Sequence, residues 1–357
     1  MNILHIVPSF YPAMVYGGPI RSLYDLCRAL ADAGETVRVL TTDANRIERV
    51  RAPIGGEPSL PTHGGSSVSV LYARRLMDAD VSTEFLRAGP ARVRWADVMH
   101  ITAIYSFTTL PALLAARISR KRILLSPRGA FGPWSQQQHR VKKALFVAVV
   151  PNGIDTAEFA SLPRESGRWL RHAASLKSDD GPLIGCLGRI HPKKGLDRLI
   201  AAVPTLLRSW PRIQILLAGP DDGTEQARLY GLATELGVSD RVHFLGGIYS
   251  TERISFLAGL DVFVLPSLDE NYANAVAEAL AAGTPVVASR HCPWPELEER
   301  QCGRWVEPEP GRIVSAVNEV LLGDVVAMGR SGREFVLQER NAAMAAGRMQ
   351  RLYRGAV

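Results

Sequence analysis

The sequence predicts an α/β protein of two doubly wound, parallel-sheet domains, and three observations carry that expectation. Short apolar runs recur along the chain, each closed by a turn and followed by a stretch of helical periodicity. Paired glycines follow the first run, where a backbone approaches a ligand or a helix begins. A length of 357 residues with 46% hydrophobic content suits two cores of ordinary size.

Asn2 to Val7 reads as the first strand, closed by Pro8. After a loop ending in Gly17-Gly18-Pro19, Ile20, Leu23, Cys27 and Leu30 share one face of a helix that Gly34 stops. Val37 to Thr41 and Ser67 to Tyr72 read as the next strands, and the Gly/Pro-rich stretch from Ala52 to Gly65 as a surface loop between them. Val98 to Ile101 and Arg122 to Ser126 are further strands, flanking a helix over Phe107 to Arg117. His100 falls at the end of its strand, where ligand-facing groups collect in open α/β sheets; it reads equally as a buried, hydrogen-bonded histidine. Arg128, in Pro127-Arg128-Gly129, suits a phosphate or acceptor contact, or a plain surface position. Then the rhythm breaks. A helical stretch from Gln136 to Phe146 runs into the apolar Val147 to Val150 with no turn residue between, which predicts that a segment is absent at Phe146-Val147.

From Leu183 the pattern is regular. Strands at Leu183–Leu187, Ile213–Ala218, Val242–Leu245, Asp261–Leu265 and Pro285–Ala288 alternate with helices, as in a parallel sheet covered on both faces. The first of these ends in Gly188-Arg189, followed by His191-Pro192-Lys193-Lys194-Gly195 and a helix from Leu196 to Leu207. There Arg189 offers a planar fork for phosphate, Lys194 a point charge and Gly195 room at the helix start; the plainer reading is a solvated basic loop. Asp221-Asp222 reads as turn composition, not as a metal site. Pro293-Trp294-Pro295 and Cys302-Gly303-Arg304-Trp305-Val306 suit packing around a nucleotide base or, more simply, core aromatics. Met328 to Tyr353 is helical and basic.

The chain is organised around Ser267 to Ser289. Glu270 sits in the loop after the strand, and Glu278 lies about one turn inside the helix that starts at Asn274, with seven residues between the two acids. Helical side chains lean toward the N-terminus, so Glu278 is expected to point back toward Glu270. The helix start adds unpaired N–H groups and the positive end of the dipole. Acids for hydroxyls beside donors for an anion match a nucleotide sugar. Taken alone, the spacing fits an exposed helix with two solvated acids; the basic loop beyond a neighbouring strand overturns that reading.

Net charge is +7, which suits an anionic substrate or an anionic membrane face. No aromatic-basic interleaving or low-complexity tract supports nucleic-acid binding. No apolar run approaches a membrane span, and the first residues lack a basic segment and a cleavage site. The expectation is a cytoplasmic protein with peripheral contact on the inner face of the plasma membrane. The four cysteines, Cys27, Cys186, Cys292 and Cys302, show no metal-type spacing and are expected reduced.

Gly17-Gly18, the PNGID run at 151–155, GRIHPKKG at 188–195 and the Glu270/Glu278 pair followed by AAGTPVV at 281–287 resemble glycosyltransferase family 4. The order of these pieces over nearly the whole chain is specific, although each alone is not. The resemblance implies the GT-B fold, two Rossmann-like domains facing across a cleft. An acceptor-side domain would span 1–147, a donor domain 148–327, and a helical segment 328–357 would pack back on the first. It implies retaining transfer of a hexosyl group from a nucleoside-diphosphate sugar, UDP or GDP, to a glycan or lipid-linked acceptor. The PRGAFGPW and PWPELEE stretches look most like members that build bacterial exopolysaccharide or lipopolysaccharide. No cofactor or metal is implied beyond the donor.

By the same resemblance Arg189 and Lys194 would hold the diphosphate, and Glu278 the ribose. Glu270, with the amides of Asn271, Tyr272 and Ala273, would hold the transferred sugar, and Gly17-Gly18 would approach its phosphate from the other side. The candidate catalytic residues are Glu270, Arg189, Lys194 and His100. The chain departs from the family where Pro127-Arg128 replace a usual histidine and where a strand–helix unit should sit between Phe146 and Val147. That departure predicts a first domain without its last βα unit. It also keeps a second reading open: a catalytically impaired protein that binds nucleotide sugar through an intact donor half. A nicotinamide dehydrogenase is disfavoured, because the first βα turn has no G-x-G-x-x-G.

Overall fold

In the computed structural model all residues are described except 46–47, 52–55, 77–80, 104–105, 128–149, 163–165, 177–180, 222 and 356–357. The chain forms two compact units, Met1–Gly153 with Asn341–Val357, and Ile154–Arg340.

The first unit holds strands β1 (Asn2–Ile6), β2 (Thr36–Thr42), β5 (Ser59–Pro61), β6 (Ser67–Ala73), β7 (Val98–Thr102) and β8 (Arg122–Ser126), in the order β5-β6-β2-β1-β7-β8. All pairs are parallel except β5 with β6. A separate ribbon, β3 (Ala44–Asn45) with β4 (Glu48–Arg49), is antiparallel. The pleat decides which side each residue serves. Ile3 and Val7 pack with Leu23, Cys27 and Leu30 of helix α1 (Gly18–Asp32) on one face. Leu4 and Ile6 turn to the other face, toward α2 (Thr83–Trp95) and α3 (Thr109–Ile118).

The helix Ala342–Arg354 belongs to this unit because Ala345, Ala346, Met349 and Tyr353 are buried against the α1 side. The helical stretch from Met328 to Tyr353 forms parts of two helices, broken at Arg340–Asn341. Asn341 caps the second by accepting from the N–H of Met344 at 2.8 Å. The stretch expected as a plain loop from Ala52 to Gly65 supplies the edge strand β5. The inferred absence at Phe146-Val147, and Arg128 with it, lie outside the described residues; among described strands β8 pairs with β7 alone.

The second unit has strands β9 (Leu183–Leu187), β10 (Gln214–Ala218), β11 (Val242–Gly246), β12 (Val262–Leu265), β13 (Val286–Ser289) and β14 (Gly303–Val306). Their order is β11-β10-β9-β12-β13-β14, and every pair is parallel. Helices α4 (Ser166–Ala173), α5 (Leu196–Ser209), α6 (Glu225–Glu235), α7 (Ser250–Ala258), α8 (Asn274–Ala281), α9 (Glu296–Glu299), α10 (Pro310–Leu322) and α11 (Val325–Glu339) complete it. Strands β9, β10, β12 and β13 are buried along their whole length, as expected of a sheet covered on both faces. Gly303 to Val306 forms the edge strand β14 on β13. The 328 boundary moves as well: α11 contributes Phe335 and Val336 to the core of this unit. All four cysteines are buried, and none is in a disulfide.

Candidate functional site

Sheet topology fixes where the second unit can bind a ligand. From β9 the chain steps outward to β10 and β11, then returns to β12 on the opposite side and continues to β13 and β14. The loops leaving β9 and β12 therefore diverge at the carboxyl edge, at a topological switch point. The β9 loop is anchored by buried Ile190, whose N–H donates to the Pro220 carbonyl at 2.9 Å. It then makes a 3-10 turn, Pro192–Lys194, capped by His191 Nδ1 accepting from the Lys193 N–H at 3.1 Å.

The two loops are joined side by side. Leu268 N–H donates to the Lys193 carbonyl at 2.8 Å. Gly195 has φ +62°, and a Cβ there would lie 2.2 Å from the Pro266 carbonyl oxygen, so only glycine allows this approach. Lys194 Nζ forms an ion pair with Glu270 Oε1, and Ser267 Oγ donates to the same oxygen at 2.9 Å. Lys193 Nζ pairs with Asp269 Oδ2 at 2.7 Å. Glu270 N–H donates to the His291 carbonyl at 3.3 Å. The carboxylate is thus held by Lys194 and Ser267, and the backbone by His291, while the side chain stays 14% exposed. Arg189, at the end of β9, is exposed.

Asn271 to Ala273 lead into α8. Asn271 is exposed, Tyr272 half-buried, and Ala273 is buried in the left-handed region at φ +61°. The N-cap residue Ala273 makes no side-chain capping bond, and the positive end of the helix dipole lies at this loop. Trp294 is 1% exposed; its indole N–H donates to the Tyr272 carbonyl, and its ring lies 5.1 Å from the Tyr272 ring. Of the two readings of Trp294, the core aromatic is the one observed, and its role is to brace the carboxylate loop. Burial pushes the Cys186 and Cys292 thiols up to about 12, and the Glu270 charge pushes both the same way.

Glu278 departs from expectation. It is buried, and its Oε1 pairs with Arg253 Nη1 of α7 at 2.5 Å. The other arm of the guanidinium pairs with Glu158 at 2.7 Å. The sequence suggested a carboxylate at the mouth of the loop; the structure adds an arginine paired with it. Arg253, Glu158, Ser267 and the Lys193–Asp269 pair escaped the sequence reading. Lys193, Ser267 and Asp269 flank residues already singled out. Arg253 lies on a different helix with no local signature.

In the first unit Gly17 caps α1 at φ +76°, a conformation that favours glycine, and Pro19 lies in the first turn as expected. Gly18 opens the helix. His100 is 1% exposed, with Nδ1 2.7 Å from the Tyr353 hydroxyl and Nε2 2.6 Å from Ser126 Oγ. It is the buried, hydrogen-bonded histidine of the two readings, because both ring nitrogens are engaged by the core. Among the described residues no cluster of three His, Cys, Asp or Glu side chains is placed to hold a metal ion.

Residues 167–335 match the family of glycosyl transferases group 1. Solved structures match over the full chain. Sucrose-phosphate synthase from Thermosynechococcus elongatus superposes with a TM-score of 0.70 at 22% identity, covering 99% of this chain and 98% of that one. HepE of Anabaena, in complex with UDP and glucose, superposes with a TM-score of 0.72 at 18% identity, covering 99% and 100%. The fold is that of GT-B glycosyltransferases. Curated relatives of this GT-B protein include a GDP-mannose-dependent α-(1-6)-phosphatidylinositol monomannoside mannosyltransferase of Mycolicibacterium smegmatis, 34% identical over 58% of this chain and 53% of the relative. A lipopolysaccharide core biosynthesis glycosyltransferase of Rhizobium meliloti is 42% identical over 31% and 30%. The chain spans about half the length of the first curated relatives it matches. No helix among the described residues is long and apolar enough to cross a membrane.

Proposed function

We propose that this protein transfers a hexosyl group from a nucleoside-diphosphate sugar, with UDP or GDP as the nucleotide, to a glycan or lipid-linked acceptor in bacterial polysaccharide or lipopolysaccharide biosynthesis. The observation that carries the reading is the Lys194–Glu270 contact, bridging two loops at the switch point of the second sheet. A cation and an acid held together there match a donor whose diphosphate needs positive charge and whose sugar hydroxyls need an acceptor. The mannosyltransferase relatives support a nucleotide-sugar donor.

In the transfer, the bond from the anomeric carbon to the β-phosphate oxygen breaks and a bond to the acceptor hydroxyl oxygen forms. Charge builds on the departing phosphate, where Lys194, Arg189 and the first-turn amides of α8 stabilise it. Retention follows if the acceptor attacks from the face the phosphate leaves, with the phosphate taking the hydroxyl proton; Glu270 then binds the sugar and is not a nucleophile. Glu278 takes the ribose hydroxyls. None of these steps draws on a metal or a further cofactor.

The test is a thermal-shift series with UDP, GDP and ADP, followed by product analysis with the sugar of the nucleotide that binds. A ligand that binds only the folded state raises Tm. Binding with turnover and an α-configured product from an α-donor supports the reading. Binding without hydrolysis or transfer on any acceptor would instead favour the impaired binding protein, and no shift with any nucleotide sinks both.

Peripheral contact with an anionic membrane belongs to the same proposal. Leu110, Leu114 and Ile118 of α3 are 65%, 54% and 83% exposed on one stripe, beside exposed Arg117 and Arg120. Sedimentation with phosphatidylglycerol vesicles but not phosphatidylcholine vesicles is expected, and equal recovery in both supernatants removes this part.

A further inference from the structure

The Arg253 network has a role that nothing above assigns. The guanidinium spans two acids from different segments: Nη1 reaches Glu278 of α8 at 2.5 Å, and Nη2 reaches Glu158 of the turn Thr156–Phe159 at 2.7 Å. It also lies over the Phe159 ring, 5.7 Å from the centroid, and Phe159 is 1% exposed. The Arg253 and Glu278 side chains are 12% and 10% exposed, and that of Glu158 is 30%. A rigid planar fork with one nitrogen on each acid and its face on a fixed ring has little freedom to turn.

Burying an acid this deeply is unfavourable unless a cation sits beside it. Arg253 supplies that cation and fixes the Glu278 rotamer. An ionised carboxylate has lone pairs for about four hydrogen bonds, and the guanidinium takes only part of that capacity. The rest suits two vicinal hydroxyls. A second acid on the same guanidinium looks redundant for stability, yet it fixes the guanidinium from the far side, so that Glu278 is presented in one orientation.

We propose that Arg253 is a positioning residue for recognition of the ribose diol, acting through Glu278, and that Glu158 sets the position of Arg253. This rests on the proposed binding of a nucleoside diphosphate with its ribose on Glu278. Arg253 itself touches no ligand.

The experiment compares calorimetric affinities of UDP and GDP with those of their 2′,3′-dideoxy counterparts, using the full-length wild type, Glu278→Gln, Arg253→Met, Arg253→Lys and Glu158→Gln. Wild type is expected to prefer the ribonucleotide by about 10- to 100-fold, the range of a charge-assisted hydrogen bond. Arg253→Met should bring that ratio to within about twofold of one, as Glu278→Gln does, while affinity for the dideoxy form holds. Arg253→Lys should restore part of the preference, and Glu158→Gln should lower it.

If Arg253→Met or Glu158→Gln lowers Tm but leaves the preference at the wild-type value, Arg253 is structural only and the proposal is overturned. Glu158→Gln, changed at the more exposed end of the network, provides this reading if Arg253→Met does not fold. A wild type that binds nucleoside diphosphate without preferring ribose overturns the role of Glu278 and the proposal together. No binding of either form overturns the proposed function itself.

Discussion

The two sheets share a plan and differ in what stands at their rims. In the first unit the strand order reverses between β1 and β7, and in the second between β9 and β12. Around the first reversal His100 is held by Tyr353 and Ser126, and Thr42 Oγ1 donates to the Pro8 carbonyl at 2.7 Å. Around the second, ion pairs are set edge to edge, Lys194 with Glu270 and Lys193 with Asp269. Topology offers a crevice in both units; in the second, Lys194 and Glu270 meet across it. A switch point is a place for chemistry, and the side chains decide whether chemistry is there.

That contrast can be broken most sharply at Lys194. Lys194→Ala should weaken nucleoside-diphosphate binding by about 1.5–3 kcal/mol, since it removes a charge-assisted contact and leaves Glu270 facing the phosphate without its cation. Arg189→Ala should cost less because Arg189 is exposed. Unchanged affinity in both variants, measured by calorimetry, would make the two rims equivalent. The counterpart in the first unit is Tyr353→Phe, which removes the hydroxyl on His100. It should lower unfolding free energy by about 1–3 kcal/mol and leave nucleotide affinity as it was. A large loss of affinity there would move the binding site toward the first sheet.

Alkaline titration sharpens the difference in another way. Cys186, Cys292 and Cys302 all lie in the second unit, and burial raises each thiol to about 12 from an ordinary value near 9. Between those values the folded state keeps protons that the unfolded chain releases. Their stabilising contribution is therefore whole below about pH 9 and is lost as pH rises toward 12. Tm should fall through that window, and replacing the three cysteines with alanine should flatten the slope. A slope that is the same without them contradicts the assignment. The smallest effect is expected at Ala273, whose left-handed conformation costs about 1 kcal/mol in a residue with a Cβ. Ala273→Gly should raise Tm by about 1–4 °C, partly offset by the freer unfolded chain. A drop would mean that the methyl group contributes more by packing than the backbone loses by strain.

The same contrast explains what could be read in advance. Strands β9, β10, β12 and β13 announced themselves as continuous apolar runs because both of their faces are covered. Edge strand β14 has one neighbour and a half-buried Arg304-Trp305-Val306, so no such run marks it. Helix α2 was missed because only Phe85 and Val93 are buried and Pro90 interrupts its pattern. Glu270 and Lys194 were legible because loops after neighbouring strands must meet at a carboxyl edge. Arg253 was not, since its link to Glu278 depends on how α7 and α8 are placed, which local sequence does not encode. His100 sits at the middle of β7 rather than at its end, where side chains of a neighbouring strand and helix engage both ring nitrogens.

The most direct test of the account is hydrogen exchange across the whole chain, with and without saturating UDP or GDP. Bound nucleotide should protect backbone amides in Gly188 to Leu196 and in Pro266 to Ala277, the two loops that Lys194 and Glu270 join. Tight binding that leaves both stretches exchanging as in the free protein would contradict it.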